Sequence, residues 1–156
     1  MSTSKKRKDT QMIAIVYTKF GSPENVLQLR EVEKPTPRDN EVLVEIHAVS
    51  INYGDWAYVR GEPFIVRLIG AGLLKPKYRI LGSDIAGRVE AVGRNVEQFQ
   101  PGDEVFGISD GGAFVEFRCA PEDYLVLKPS NMSFEETAAA RAKTRETRVL
   151  AKSRDI

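Results

Sequence analysis

Three glycines in the run LGSDIAGRVEAVG, Gly82, Gly87 and Gly93, stand beside a Ser83-Asp84 pair and pose a chemical question: do they hold a phosphate? A dinucleotide turn needs glycines spaced G-x-G-x-x-G between a strand and a helix, so that backbone N–H groups and the helix N-terminus meet the pyrophosphate. Here the spacings are five and six residues, β-branched residues run between the glycines, and no helical pattern opens behind them. A P-loop fails the same test, because Gly87 is followed by Arg88-Val89 and not by Lys and a hydroxyl residue. The glycines read instead as bends and close approaches in a curved sheet. Other reactive side chains are sparse. Cys119 is the one cysteine, which excludes an internal disulfide and a cysteine cluster for zinc. It sits within a strand pattern and reads as a small buried hydrophobe. His47, the one histidine, alternates with the inward set of its strand and so falls on the opposite face.

The elements that must position these residues are mostly strands. Strand-like runs are MIAIVYTKF from Met12, VLQLREVE (26–33), EVLVEIHAVSI (41–51), IAGRVEAVG (85–93), DEVFGI (103–108), GAFVEFRCA (112–120) and DYLVLKP (123–129). In the strongest of them Val42, Val44, Ile46 and Ala48 share one face by the period of two. Turn signals at Gly93-Arg94-Asn95, Pro101-Gly102 and Asp110-Gly111-Gly112 separate the later runs. Seven short strands at near-regular spacing define a mainly β fold with short helices, a barrel or a sandwich. Asn52–Arg60 loses the alternation and ends at Gly61, as a short helix or a turn. Residues 62–80 form a rather apolar insertion. At SFEE, Ser133 and Glu136 make a capping box that starts a helix continuing through TAAA.

Composition narrows the setting. The chain has 156 residues and is 42% hydrophobic, enough for one domain with its own core. No run approaches the roughly 18 apolar residues of a membrane helix, and the charged start lacks an apolar signal core. A cytoplasmic protein that does not enter the membrane is the expectation. The net charge of +1 is unevenly spread: residues 1–11 carry +3, residues 141–156 carry +4, and the stretch between them carries −6. Tails of that kind could touch nucleic acid, but the acidic body argues against it, and they read as solvated ends.

The order of motifs resembles a known family. LGSDIAGRVEAVGRNVEQFQPGDEVFG, followed by GAFVEFRCAPEDYLVLKPSNMSFEETAAA, is similar to the N-terminal half of the medium-chain dehydrogenases/reductases, with EVLVEIHAVSINYGDW where that family places its first active-site residues. The resemblance runs from about Met12 to Ala140 and implies a GroES-like, partly open β-barrel that binds substrate, ahead of a Rossmann domain that binds NAD(P). Zinc-dependent members carry Cys at the position of Asn52 and Gly-His-Glu at Gly82-Ser83-Asp84, and a four-cysteine lobe near the SDGGA of this chain. Asn and Ser do not replace a thiolate and an imidazole. The resemblance therefore points to the zinc-free branch, the quinone oxidoreductases and related enoyl and alkenal reductases, in which NADPH gives hydride to a conjugated acceptor. It places Asn52, Tyr53 and Tyr58 in the catalytic set. Asn52 would bond the acceptor carbonyl or the nicotinamide edge, Tyr58 would polarise a carbonyl, and Asp55 would order the turn. Phe64, Ile65, Leu68 and Ile69 of the insertion would line a pocket for a flat hydrophobic carbonyl or quinone substrate.

Simpler roles stand beside these. Asn52 could close a turn after its strand, Asp55 and Trp56 could be structural with the indole in the core, and the insertion could shield the barrel or meet a second protomer in a homo-oligomer. After Ala140 the family continues as an apolar helix into a βαβ unit, whereas this chain reads RAKTRETRVLAKSRDI. The expectation is a basic tail over 1–11, a substrate-binding barrel over 12–132, and a connecting helix with an atypical basic end over 133–156. The Rossmann domain is absent from this sequence, which is expected to be truncated relative to the family and inactive alone. A stand-alone binding or assembly module is the alternative.

Overall fold

Residues 9–68, 72–76 and 79–140 are described by the structure, a computed structural model. The expectations for residues 1–8, Ile69 and 141–156 lie outside them. The first strand, β1 (Gln11–Val16), buries Met12, Ala14 and Val16 and turns away at Tyr17. A short helix, α1 (Pro23–Val26), starts on a proline whose missing N–H a helix start does not need, and leads to β2 (Gln28–Glu33). The two strands pair antiparallel from Gln11↔Glu33 to Val16↔Gln28. Val26, expected in the second strand, belongs to α1 instead.

A five-stranded antiparallel sheet forms the rest of the β structure, in the order β6-β3-β4-β5-β7. Its members are β3 (Glu41–Val49), β4 (Asp84–Val92), β5 (Glu104–Ile108), β6 (Phe117–Pro121) and β7 (Leu125–Leu127). The apolar face of β3 buries Val42 and Val44 with Ile85, Val89, Phe99, Val105, Ala120 and Leu125. Gly87 answers part of the glycine question. A Cβ there would stand 1.9 Å from the Glu45 carbonyl oxygen, beside the bulge between Ile46 and Ala48. The residue is glycine because β3 and β4 approach too closely for a side chain.

The expected strand over 112–120 is split. Only Phe117–Pro121 is strand, while the residues before it cross to β1. Ile15 N–H donates to the Phe114 carbonyl at 2.9 Å, Glu116 N–H donates to the Ile13 carbonyl at 3.1 Å, and Ala14 bridges to Val115. That crossing ties the small sheet to the large one and rolls them into a barrel that stays partly open, as the resemblance implies. Before β7, residues Glu122–Tyr124 form a 3-10 turn and not a strand.

Two further helices stand among the described residues. α2 (Tyr53–Arg60) closes on Gly61 in the left-handed conformation at φ 62°. It covers a second core of Tyr17, Val26, Val59 and Leu81. α3 (Phe134–Ala139) has the expected capping box and packs on β3 and β4. His47 points away from the main core and stacks on Phe134 at 4.5 Å between ring centroids. Two expectations are corrected. Trp56 is 44% exposed, because the outer side of α2 stacks it on Tyr53 and beneath Arg60. Cys119 is half-buried, not buried, and burial pushes its thiol up to about 11.

Candidate functional site

Asn52 ends the run out of β3 and caps α2. Its Oδ1 accepts from the Gly54 N–H at 2.9 Å, and its own N–H donates to Asp55 Oδ2 at 3.0 Å. This reciprocal cap satisfies N–H groups that a helix start otherwise leaves orphaned. The other oxygen of Asp55 accepts from the Gly82 N–H at 2.9 Å, across 27 positions of sequence. One buried carboxylate therefore fixes the helix start and clasps it to the loop before β4. Gly82 can serve because it has φ 89°, and a Cβ on it would meet the Phe114 ring at 2.9 Å.

Asp84 closes the arrangement. Only 5% exposed at the first position of β4, it accepts from Asn52 Nδ2 at 3.3 Å and from Ser83 Oγ at 3.2 Å. Ser109 N–H donates to the Ser83 carbonyl at 2.8 Å, which joins the turn after β5 to the same loop. Between these pieces lies a cleft of about 220 Å³ whose walls include Asn52, Asp55, Tyr58, Leu81, Ser83 and Asp110. Tyr17 lies in the core shared with Tyr58 and Leu81, its hydroxyl buried without a hydrogen-bond partner among the described residues. Burial pushes that hydroxyl up to about 12, and the charges of Tyr58 and Asp55 add to the shift.

The residues singled out from sequence divide in two. Asn52 and Tyr58 share the cleft. Tyr53 is 73% exposed on the outside of α2, and Phe64, Ile65 and Leu68 are more than half exposed, none of them among the cleft walls. Their segment is anchored instead by Arg67, whose Nε donates to the Gly61 carbonyl at 2.9 Å while its guanidinium lies over the Phe20 ring at 4.5 Å. The contact sequence reading missed is Asn52 to Asp84. Its signal was present in the place of Gly82-Ser83-Asp84 within the family motif.

A larger cavity of about 290 Å³ opens elsewhere, between Ile13, Ile15 and Leu29 on one side and Ile46, Val49 and Phe114 on the other. Its walls are apolar, and Glu116, at its edge, is tied to the Ile13 N–H at 2.7 Å. The smaller cleft combines apolar wall with directed polar groups, the arrangement that can orient a small ligand.

Neither zinc nor a dinucleotide phosphate fits the groups at this cleft among the described residues. Asn52, Ser83 and Asp84 offer an amide, a hydroxyl and one carboxylate, a poor donor set for zinc. Among the described residues, no group of three or more His, Cys, Asp or Glu is placed to hold a metal. The α2 N-terminus is filled by its own cap, the α3 N-terminus by Ser133, and no glycine-rich strand-to-helix turn occurs among the described residues. Also among them, no helix is long and apolar enough to cross a membrane.

Comparison with known proteins agrees with this architecture. Residues 38–130 match the family model of the alcohol dehydrogenase GroES-like domain. The chain belongs to that family, in the quinone-oxidoreductase-like part of the medium-chain dehydrogenase/reductase superfamily. The quinone oxidoreductase of Sus scrofa is 37% identical over 130 residues, which cover 82% of this chain and 37% of that protein. A chloroplastic quinone-oxidoreductase homolog of Spinacia oleracea is 35% identical over 132 residues, covering 82% and 38%. Among solved structures, the quinone oxidoreductase from Coxiella burnetii superposes with a TM-score of 0.73 at 31% identity, over 85% of this chain and 41% of that one. The Escherichia coli quinone oxidoreductase complexed with NADPH gives 0.68 at 31% identity, over 82% and 36%. The chain thus spans about two-fifths of the length of the relatives it matches.

Proposed function

We propose that this chain is the acceptor-binding part of a zinc-independent, NADPH-dependent reductase of quinones or enones, with residues 12–132 as the substrate-binding unit and α3 as the start of its connection to a cofactor domain. The observation that carries the reading is the Asn52 amide, fixed at the wall of a small cleft beside Tyr58. Such an amide donates a hydrogen bond to the carbonyl oxygen of an acceptor and stabilises the negative charge that grows there as the conjugated system is reduced. Leu81 and Ile80 supply apolar wall for a flat ring. Bound NADPH would supply the hydride. Its pyrophosphate finds no cradle among the described residues, so the nucleotide would be held elsewhere in the assembled enzyme. Phe64, Ile65 and Leu68, exposed and anchored through Arg67, would close over the acceptor from the insertion. A cytoplasmic setting completes the reading.

Two titrations of the 156-residue chain test this. A benzoquinone should perturb the NMR signals of Asn52 and Tyr58, and Asn52→Ala should weaken that binding about tenfold. NADPH alone should not bind up to millimolar concentration. Quinone binding that ignores Asn52 would overturn the acceptor site, and micromolar NADPH binding would overturn the placing of the cofactor elsewhere.

A further inference from the structure

A primary amide can turn either its N–H or its C=O toward a ligand, and the two orientations recognise opposite partners. We propose that Asp84 is a positioning residue that locks the Asn52 amide so that the cleft presents a hydrogen-bond donor to a ligand's carbonyl oxygen. The inference rests on the acceptor-binding role given above to Asn52. It begins with two contacts that agree: Oδ1 accepts from the Gly54 N–H at 2.9 Å, and Nδ2 donates to Asp84 Oδ2 at 3.3 Å. Flipping the amide would set Nδ2 against the Gly54 N–H, donor facing donor, and Oδ1 against a carboxylate, acceptor facing acceptor. Both bonds would be lost together and replaced by repulsion.

Asp84 suits this task because of its surroundings. It is buried, and its hydrogen-bond donors among the described residues are Asn52 and Ser83, both neutral. No salt bridge from Asp84 to a Lys or Arg exists among the described residues. An ionised carboxylate only accepts, so the group beside it has to be a donor. The Ser83 hydroxyl spends its one hydrogen on the same oxygen. One hydrogen of Nδ2 is thereby committed to Asp84, and the second has no acceptor among the described residues. That second hydrogen is the donor at the cleft wall. The same carboxylate thus selects for ligands with a bare acceptor oxygen, the carbonyl of a ketone, enone or quinone.

Asn- and Gly-selective 15N labelling of the full chain gives five asparagine side-chain amides, of which Asn52 is one, together with the backbone N–H of Gly54. In the wild type, one Asn52 Nδ2 hydrogen should exchange with solvent at least tenfold more slowly than its twin, and acetophenone should shift the faster one. Asp84→Leu should abolish the protection and weaken acetophenone about tenfold, while the Gly54 backbone signal stays in place and reports an intact cap. Asp84→Asn, whose amide oxygen still accepts, should restore most of both. Equal, fast exchange of the two hydrogens in the wild type overturns the lock without any variant, so a failure of Asp84→Leu to fold leaves the test decisive. An unchanged Asn52 signal in Asp84→Leu overturns it as well. Protection that depends on Asp84, with no binding of acetophenone, would retain the lock and sink the acceptor-binding reading.

Discussion

Helices α2 and α3 open on the same device, a side-chain acceptor at the cap and a carboxylate three residues on that reaches back to the cap N–H. In α3 both partners are exposed: Ser133 N–H donates to Glu136 Oε2 at 2.8 Å, and Glu136 N–H donates to Ser133 Oγ at 3.2 Å. In α2 the carboxylate is buried, and each partner has a second bond, Asp55 to Gly82 and Asn52 to Asp84. The local motif is equal, and its surroundings make one a helix start and the other the frame of a site. A cap can shape a cleft when its spare hydrogen-bonding capacity is committed across the fold.

Removing members of each box should separate the two. Asp55→Ala should be the most damaging, lowering stability by about 3 kcal/mol in urea unfolding, because the buried Gly82 N–H and the part-buried Asn52 N–H lose their acceptor at roughly 1–3 kcal/mol each. Asn52→Asp keeps a capping oxygen but sets a second carboxylate against Asp84, and should cost about 2 kcal/mol at neutral pH. The like charge raises the pKa of that pair above its unfolded value, so the variant should regain stability on acidification. A variant whose unfolding midpoint did not rise as pH fell would break this half of the comparison. Ser133→Ala should cost about 1 kcal/mol, the usual worth of an exposed cap, and leave quinone binding unchanged. The smallest effect is at Glu135, whose own backbone N–H and then the Ser133 side chain hold its carboxyl below the ordinary value of 4.5. A depressed carboxyl stabilises above its unfolded pKa and loses that contribution as pH falls through the folded one. The wild type should therefore weaken slightly below about pH 4.5, and Glu135→Gln should flatten that part of the stability curve.

The same contrast explains what could be read in the sequence. The box at Ser133-Phe134-Glu135-Glu136 was legible because every contact lies within four residues. The strands were legible wherever alternation met turn residues, and the close approach of strands at Gly87 could be read from glycine spacing. The resemblance gave Asn52 a place in the catalytic set and Asp55 the ordering of the turn, and Ser83-Asp84 suggested only a lost metal site; their partners across the fold stayed hidden because the bonds span 27 and 32 positions. The crossing of residues 113–116 to β1 was hidden for the same reason, since a short apolar run looks alike whether it extends a strand or bridges two sheets. Trp56 was misplaced because an indole on an eight-residue helix can find a tyrosine and an arginine on the outer side instead of a core.

The clasp from Asp55 to Gly82 also sets the entropy of the chain it encloses. The described parts of the insertion are held at both ends, by Arg67 on the Gly61 carbonyl and by the Tyr17 N–H on the Arg79 carbonyl, so a change in the number of residues between those points enters stability mainly through the closure of a loop, where doubling the length costs about 0.6 kcal/mol. Sequence and length there can be exchanged while the Asn52 frame stays put. Halving the stretch between Arg67 and Arg79 should move the urea midpoint by the equivalent of less than about 1 kcal/mol. On the function proposed above, that stretch would be an interchangeable flap on a fixed post, and acceptor preference would drift in it without disturbing the Asn52 amide.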